Sequence, residues 1–203
     1  MCADTERAKE LVSQLASGSA AERRHAALRL AKFPHKRAVV ALQDALKDPD
    51  EGVRARAAYS LGRLRRRESA TGLCERLVDE GESEEVRTQS ARALALIGGT
   101  AAVSALIGVL HDSSASVRGM ASYALGEVRA RQASASLASL LADPDWEVRW
   151  QAALALFKLD EPSVVAALQQ FMLDRKTPAD LRREIPKMIQ ALQREPPIGD
   201  PTT

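Results

Sequence analysis

Six arginines keep phase along the chain: Arg23, Arg54, Arg87, Arg118, Arg149 and Arg182, spaced 31, 33, 31, 31 and 33 residues apart. Each has a Leu or Ile seven residues later, and all but Arg23 follow an apolar residue, as in VRARAAYSLGRL from Val53 and VRGMASYALGEV from Val117. A period of this length, held through nearly the whole chain, is the mark of a repeat array and constrains the fold more than any composition could. The apolar residues recur at i, i+3, i+4 and i+7, a helical spacing.

A second element precedes each copy. Leucines four apart mark it: Leu11 and Leu15, Leu42 and Leu46, Leu73 and Leu77, Leu106 and Leu110, Leu137 and Leu141, with Leu168 and Met172 completing the set. Two residues after each pair stand Ser17, Asp48, Asp79, Asp112, Asp143 and Asp174. Each unit therefore reads as two helices joined by a short turn. Asp48-Pro49, Asp143-Pro144 and Thr177-Pro178 have the form of a cap followed by Pro at the first helical position, with Glu51 as a capping-box acid. The chain reads as an all-α solenoid, one domain over residues 1–194. Its six units fall near 5–35, 36–66, 67–99, 100–130, 131–161 and 162–194, with 195–203 as a flexible tail. Aromatics are only 3% and the apolar share rests on Ala, Leu and Val, which suits close-packed helices better than strands.

The pattern resembles the HEAT repeat, in the short form known as the phycobilisome-lyase HEAT-like repeat. The resemblance rests on an Asp six residues before Arg, followed by VRxxAAxxLGxL, and is clearest from Asp48 to Leu64 and from Asp112 to Val128. In that family the Asp and Arg bond between neighbouring repeats. The resemblance thus implies a structural ladder of Asp48, Arg54, Asp79, Arg87, Asp112, Arg118, Asp143, Arg149, Asp174 and Arg182. Units three and six depart from the pattern by a turn two residues longer, and Pro186 falls inside the last helix, where it should kink it.

Catalytic signatures are absent from the sequence. His25, His35 and His111 have no ligand-type partner at metal spacing, and the His-Glu dipeptides that carry iron in the HEAT-like deoxyhypusine hydroxylases do not occur. Cys74 sits mid-helix beside core leucines, and Gly98-Gly99 reads as a helix stop, not a phosphate loop. Cys2 and Cys74 form no framework of disulfides, the N-terminus lacks an apolar leader, and no stretch is apolar enough for a membrane span. The expectation is a cytoplasmic, non-catalytic protein with no cofactor.

The family's second helices line a concave wall, and the residues one, two, five and nine places after each repeat Arg should face it. That face holds eight cationic residues and two anionic ones, although the formal net charge of the chain is only +2. The candidate binding residues are Arg24, Lys32, Arg56, Tyr59, Arg63, Arg92, Met120, Tyr123, Trp150 and Lys158, types that are enriched at binding hot spots. The turns within units are acidic and the loops between units basic. These features point to a protein-binding scaffold whose groove takes an acidic, partly apolar segment of a partner. Two alternatives stay open: a nucleic-acid binder, which the near-neutral charge disfavours, and an accessory subunit of a chromophore-lyase-like enzyme.

Overall fold

In a computed structural model that describes residues 2–193, the chain forms twelve α-helices with no strand among the described residues. They come in pairs: α1 (Cys2–Ser17) with α2 (Ala20–Leu30), α3 (Lys36–Ala45) with α4 (Glu51–Leu64), α5 (Ala70–Val78) with α6 (Glu84–Ile97). Then follow α7 (Thr100–Gly108) with α8 (Ala115–Glu127), α9 (Ser134–Ser139) with α10 (Trp146–Lys158), and α11 (Val165–Leu173) with α12 (Ala179–Leu192). The expected tail, 195–203, lies outside the described residues. No described helix is long and apolar enough to cross a membrane.

The second helices α2, α4, α6, α8 and α10 stack each on the next, and the first helices cover one side of that row. One continuous apolar core runs between the two layers. Leu30, Leu61, Leu94, Leu125 and Leu156, each seven residues after a repeat Arg, are fully buried in it. Most leucines of the first helices join them, with one shift of register. In the last two units Leu140 and Phe171 are buried, while Leu141 is half-buried and Met172 exposed. In the fifth unit the cause is local: Leu140–Ala142 wind as a 3₁₀ turn, so the core residue comes three places after Leu137 instead of four.

The caps also differ from the sequence reading. Each second helix from α2 to α10 is capped by the residue four before its repeat Arg: Ser19, Asp50, Ser83, Ser114 and Asp145. Each accepts a hydrogen bond from the amide three residues on, satisfying one of the orphan N–H groups of the first turn. Asp48 and Asp143 are therefore not caps. The full capping box is Ser19 with Glu22, not Asp48 with Glu51. Helix α12 begins after Pro178 with no side-chain cap. It continues through Pro186, whose ring nitrogen offers no donor to the Arg182 carbonyl. Four second helices are followed by a residue of positive φ eleven places after the repeat Arg: Arg65, Gly98, Arg129 and Asp160. Only one of these is the glycine that the conformation favours.

Candidate functional site

The turns between paired helices carry a ladder of ion pairs that joins each unit to the next. Arg23 grips Asp48 with Nε at 2.7 Å and Nη2 at 2.8 Å. Arg118 grips Asp143 in the same way at 2.8 and 2.9 Å, and Arg87 grips Asp112 through both terminal nitrogens. The fork matches the carboxylate geometry, which makes the pair directional as well as charged. A further N–H of Arg54, Arg118 and Arg149 donates to the carbonyl of Asp48, Asp112 and Asp143 respectively, in its own unit. Each Asp also folds its own turn: Asp48, Asp112 and Asp143 accept from the amides of Asp50, Ser114 and Asp145, each at 2.9 Å. One residue pair thus fixes a turn, a helix start and a unit junction together.

Two members of the expected ladder are displaced. Arg54 pairs with Glu82, not Asp79, at 2.7 Å through both Nε and Nη2. The turn of unit three is two residues longer, and its extra length brings Glu82 inward to a side-chain exposure of 2%. Asp79 is left to bond the Gly81 amide and to meet Arg76 at 3.5 Å. At the other end, Arg182 is in no ion pair among the described residues and donates to the Arg175 carbonyl. Arg149 and Asp174 stand 4.0 Å apart, a looser contact than the inner pairs.

The ladder carboxylates are held in their charged form. Burial alone would raise Asp48, Asp112 and Glu82. The hydrogen bonds from Arg23, Arg87 and Arg54, together with the turn amides, outweigh it and bring all three below their ordinary range. For Asp143 the Arg118 hydrogen bonds are the largest influence, and they lower it against a smaller effect of burial.

Across the row of second helices lies a hollow of about 920 Å³. Helix α6 gives it Glu84, Glu85, Thr88 and Arg92; α8 gives Ala115, Ser116, Gly119, Met120 and Tyr123; Glu147 and Gln151 of α10 and its cap Asp145 close it. Arg92, Met120 and Tyr123 of the expected face therefore meet in one place. Lys158 stands beside it, paired with Glu127 and with Nζ 5.2 Å from the centre of the Tyr123 ring. Tyr59 is half-buried, and Lys32, Arg56 and Arg63 are exposed and in no ion pair among the described residues. Arg56 and Tyr59 occupy positions equivalent to Met120 and Tyr123, which line the hollow, while Lys32 and Arg63 are equivalent to Lys158, which stands beside it. Arg24 is tied to Asp50 by two hydrogen bonds.

The hollow also contains residues that the sequence reading left out. Glu84, Glu85, Ala115, Ser116 and Glu147 stand two or three places before the repeat Arg, one helical turn ahead of the positions counted from it. The i, i+3, i+4 rule applied backwards from Thr88, Gly119 and Gln151 would have found them.

Trp150 does not face the groove. It is only 6% exposed and packs against Trp146 and Phe171, with ring centres 6.2 and 5.2 Å away. The position just after the repeat Arg looks towards the next unit: a Cβ on Gly119 would meet Val148 and Gln151, and Ala55 at the same place is buried. At the fifth unit that direction leads to Phe171 on α11, so the indole enters the core.

HEAT repeat models match residues 8–95 and 103–193, and the PBS lyase HEAT-like repeat matches residues 86–112. No curated protein matches the sequence. Among solved structures, the complex of CpcE and CpcF of phycocyanin lyase from Nostoc sp. PCC7120 is similar, at 26% identity and a TM-score of 0.70. The match covers 91% of this chain and 76% of that one. An engineered protein aligns at 20% identity and a TM-score of 0.63, over 92% of this chain and 98% of the other. A designed armadillo repeat protein in complex with the peptide (KR)4 aligns at 20% and 0.62, over 90% and 98%. These two likenesses show the solenoid fold alone. With the ladder, the paired helices and the family models in agreement over most of its length, the chain belongs to the HEAT repeat family.

Proposed function

We propose that this protein is a cytoplasmic, non-catalytic scaffold that holds a segment of a partner protein along its row of second helices. The observation that carries this reading is the hollow over α6, α8 and α10. Met120 and the 37%-exposed Tyr123 line it, and the charges that line it with them take no part in the ladder or the core. Apolar surface ringed by uncommitted polar groups is the usual anatomy of a recognition surface. Arg56, Arg63 and Arg92 stand free on one part of the row and suit an acidic stretch of the partner, steering its approach. Nucleic acid fits poorly, because four carboxylates flank the hollow where phosphates would have to pass. A second reading, a subunit of a lyase-like assembly, is favoured by the 26% identity to the CpcE–CpcF complex over 91% of this chain.

Site-specific crosslinking in the host cell tests the proposal. A photoreactive phenylalanine analogue at position 123 should capture a discrete partner, and the adduct should fade when Arg56→Glu and Arg92→Glu are added. The same analogue at position 75 or 135, on the first helices, should capture little. Equal adducts from the first-helix sites would place binding on the other layer and end this reading.

A further inference from the structure

The row of second helices changes sign along its length. Over the first two units the uncommitted charges of this face are Lys32, Arg56 and Arg63, with Glu51 as the opposing exposed carboxylate. Around the hollow they are Glu84, Glu85, Asp145 and Glu147 against Arg92 alone, so the lining carries a formal −3. None of these four carboxylates is in an ion pair among the described residues. Glu84 accepts from Ser114 Oγ at 2.6 Å, Glu147 accepts from Gln151 Nε2 at 2.7 Å, and Asp145 caps α10, all contacts with neutral groups; Arg87 and Arg118 act on Glu84 and Asp145 only through space. Three helix starts nearby add only about +0.5 each.

Resting on the scaffold reading above, we infer that the hollow over α6, α8 and α10 receives a lysine or arginine side chain of the partner. The bound segment is therefore dipolar, with its cationic end here and its acidic end over Arg56 and Arg63. The floor suits such a side chain. Its aliphatic stem lies along Met120 and the Tyr123 ring, and its charged head reaches Glu85 and Glu147 at the edge. That ring already accommodates a cation, Lys158, at 5.2 Å from its centre. Gln151 Oε1, on the same wall, has no hydrogen-bond partner among the described residues and is an acceptor that a small side-chain movement brings to the incoming donor. The two signs fix the direction of the segment, since reversal would set like charges together at both ends.

Fluorescence anisotropy of the full chain with labelled octalysine and octaglutamate tests the inference. Octalysine should bind the wild type, and Glu85→Gln with Glu147→Gln should weaken it about tenfold, the loss of two charge contacts. Tyr123→Ala should weaken it several-fold. Glu68→Gln with Glu75→Gln, which removes two exposed carboxylates elsewhere, should change it by less than about twofold. Octaglutamate should instead respond to Arg56→Glu with Arg63→Glu. Octalysine that fails to bind, or that responds equally to the two glutamine pairs, overturns the inference. Crosslinks at position 123 alongside a failed octalysine contrast remove the cation site alone. Crosslinks confined to the first helices remove the scaffold reading on which it rests.

Discussion

Helices α8 and α10 touch backbone to backbone, whereas α12 packs on α11 and only loosely on α10. The difference follows from one repeat position, eight residues after the ladder Arg. In unit four it is Gly126, where a Cβ would stand 2.8 Å from the Ala155 Cα; in unit two it is Gly62, with Ala93 Cα at 2.7 Å. Units one and three have Ala31 and Ala95 there, and unit five has Phe157. A phenylalanine there is too large for the close approach that Gly and Ala allow, and the last pair does not join the row as the others do. Trp146, Trp150 and Phe171 fill the junction instead, with Phe171 edge-on to both indoles. The ladder records the same change. Arg87 and Asp112 are each 6% exposed, while Arg149 and Asp174 stand at 24% and 34%. A solenoid is stabilised unit by unit through such interfaces, so the last junction should open first.

That contrast can be broken from either side. Trp150→Ala removes one of the two indoles of the aromatic cluster and should cost about 3–5 kcal/mol locally. Hydrogen exchange should then speed in α11 and α12 while α4 and α6 stay protected; uniform exchange along the chain would mean that the junction is not a separate unit. Arg87→Ala should cost about 3–5 kcal/mol as well, because it strands a buried carboxylate at Asp112. Arg149→Ala, at the loose junction, should cost less than about 1 kcal/mol. Urea midpoints compare the two, and equal losses would show that exposure does not grade the ladder. Gly126→Ala should cost about 1–3 kcal/mol by forcing α8 from α10. The same step from Gly108 to Ala, where an added Cβ meets nothing within 4 Å, should be neutral or slightly stabilising.

Acid gives a smaller effect. Asp48, Glu82, Asp112 and Asp143 titrate lower in the folded chain than in the unfolded one. Their contribution is therefore present above about pH 4, the ordinary carboxylate value, and is lost as the pH falls through their lowered folded values. Urea midpoints should fall between pH 5 and pH 3. In Arg87→Ala the fall should be shallower, since one pair has already gone; an unchanged slope would contradict the role given to that pair.

Much of the molecule was legible in its repeats. The buried leucines, the paired helices and the ladder spacing of 25 residues all follow from periodicity, because a helix presents one face every three to four residues and stacking must bury it. The caps were also in phase, at Ser19, Asp50, Ser83, Ser114 and Asp145, but the Asp-Pro pairs drew attention two residues too early. Groove positions were harder to read. Counting only forward from the repeat Arg found Arg92 and Tyr123 and passed over Glu85 and Glu147, which changed the expected charge of the hollow.

The sequence by itself determined that these helices form, where they turn and which of their faces must be covered, since those are properties of local spacing and apolar burial. Only the tertiary structure decided which neighbour does the covering. Asp79 has the spacing of a ladder residue and Trp150 the spacing of a groove residue, yet Glu82 takes the first role and the core takes the second. A longer turn lets Glu82 reach Arg54, and Phe171 on α11 gives the Trp150 indole an apolar partner inward. Each outcome depends on distances between units, which no single unit's sequence contains.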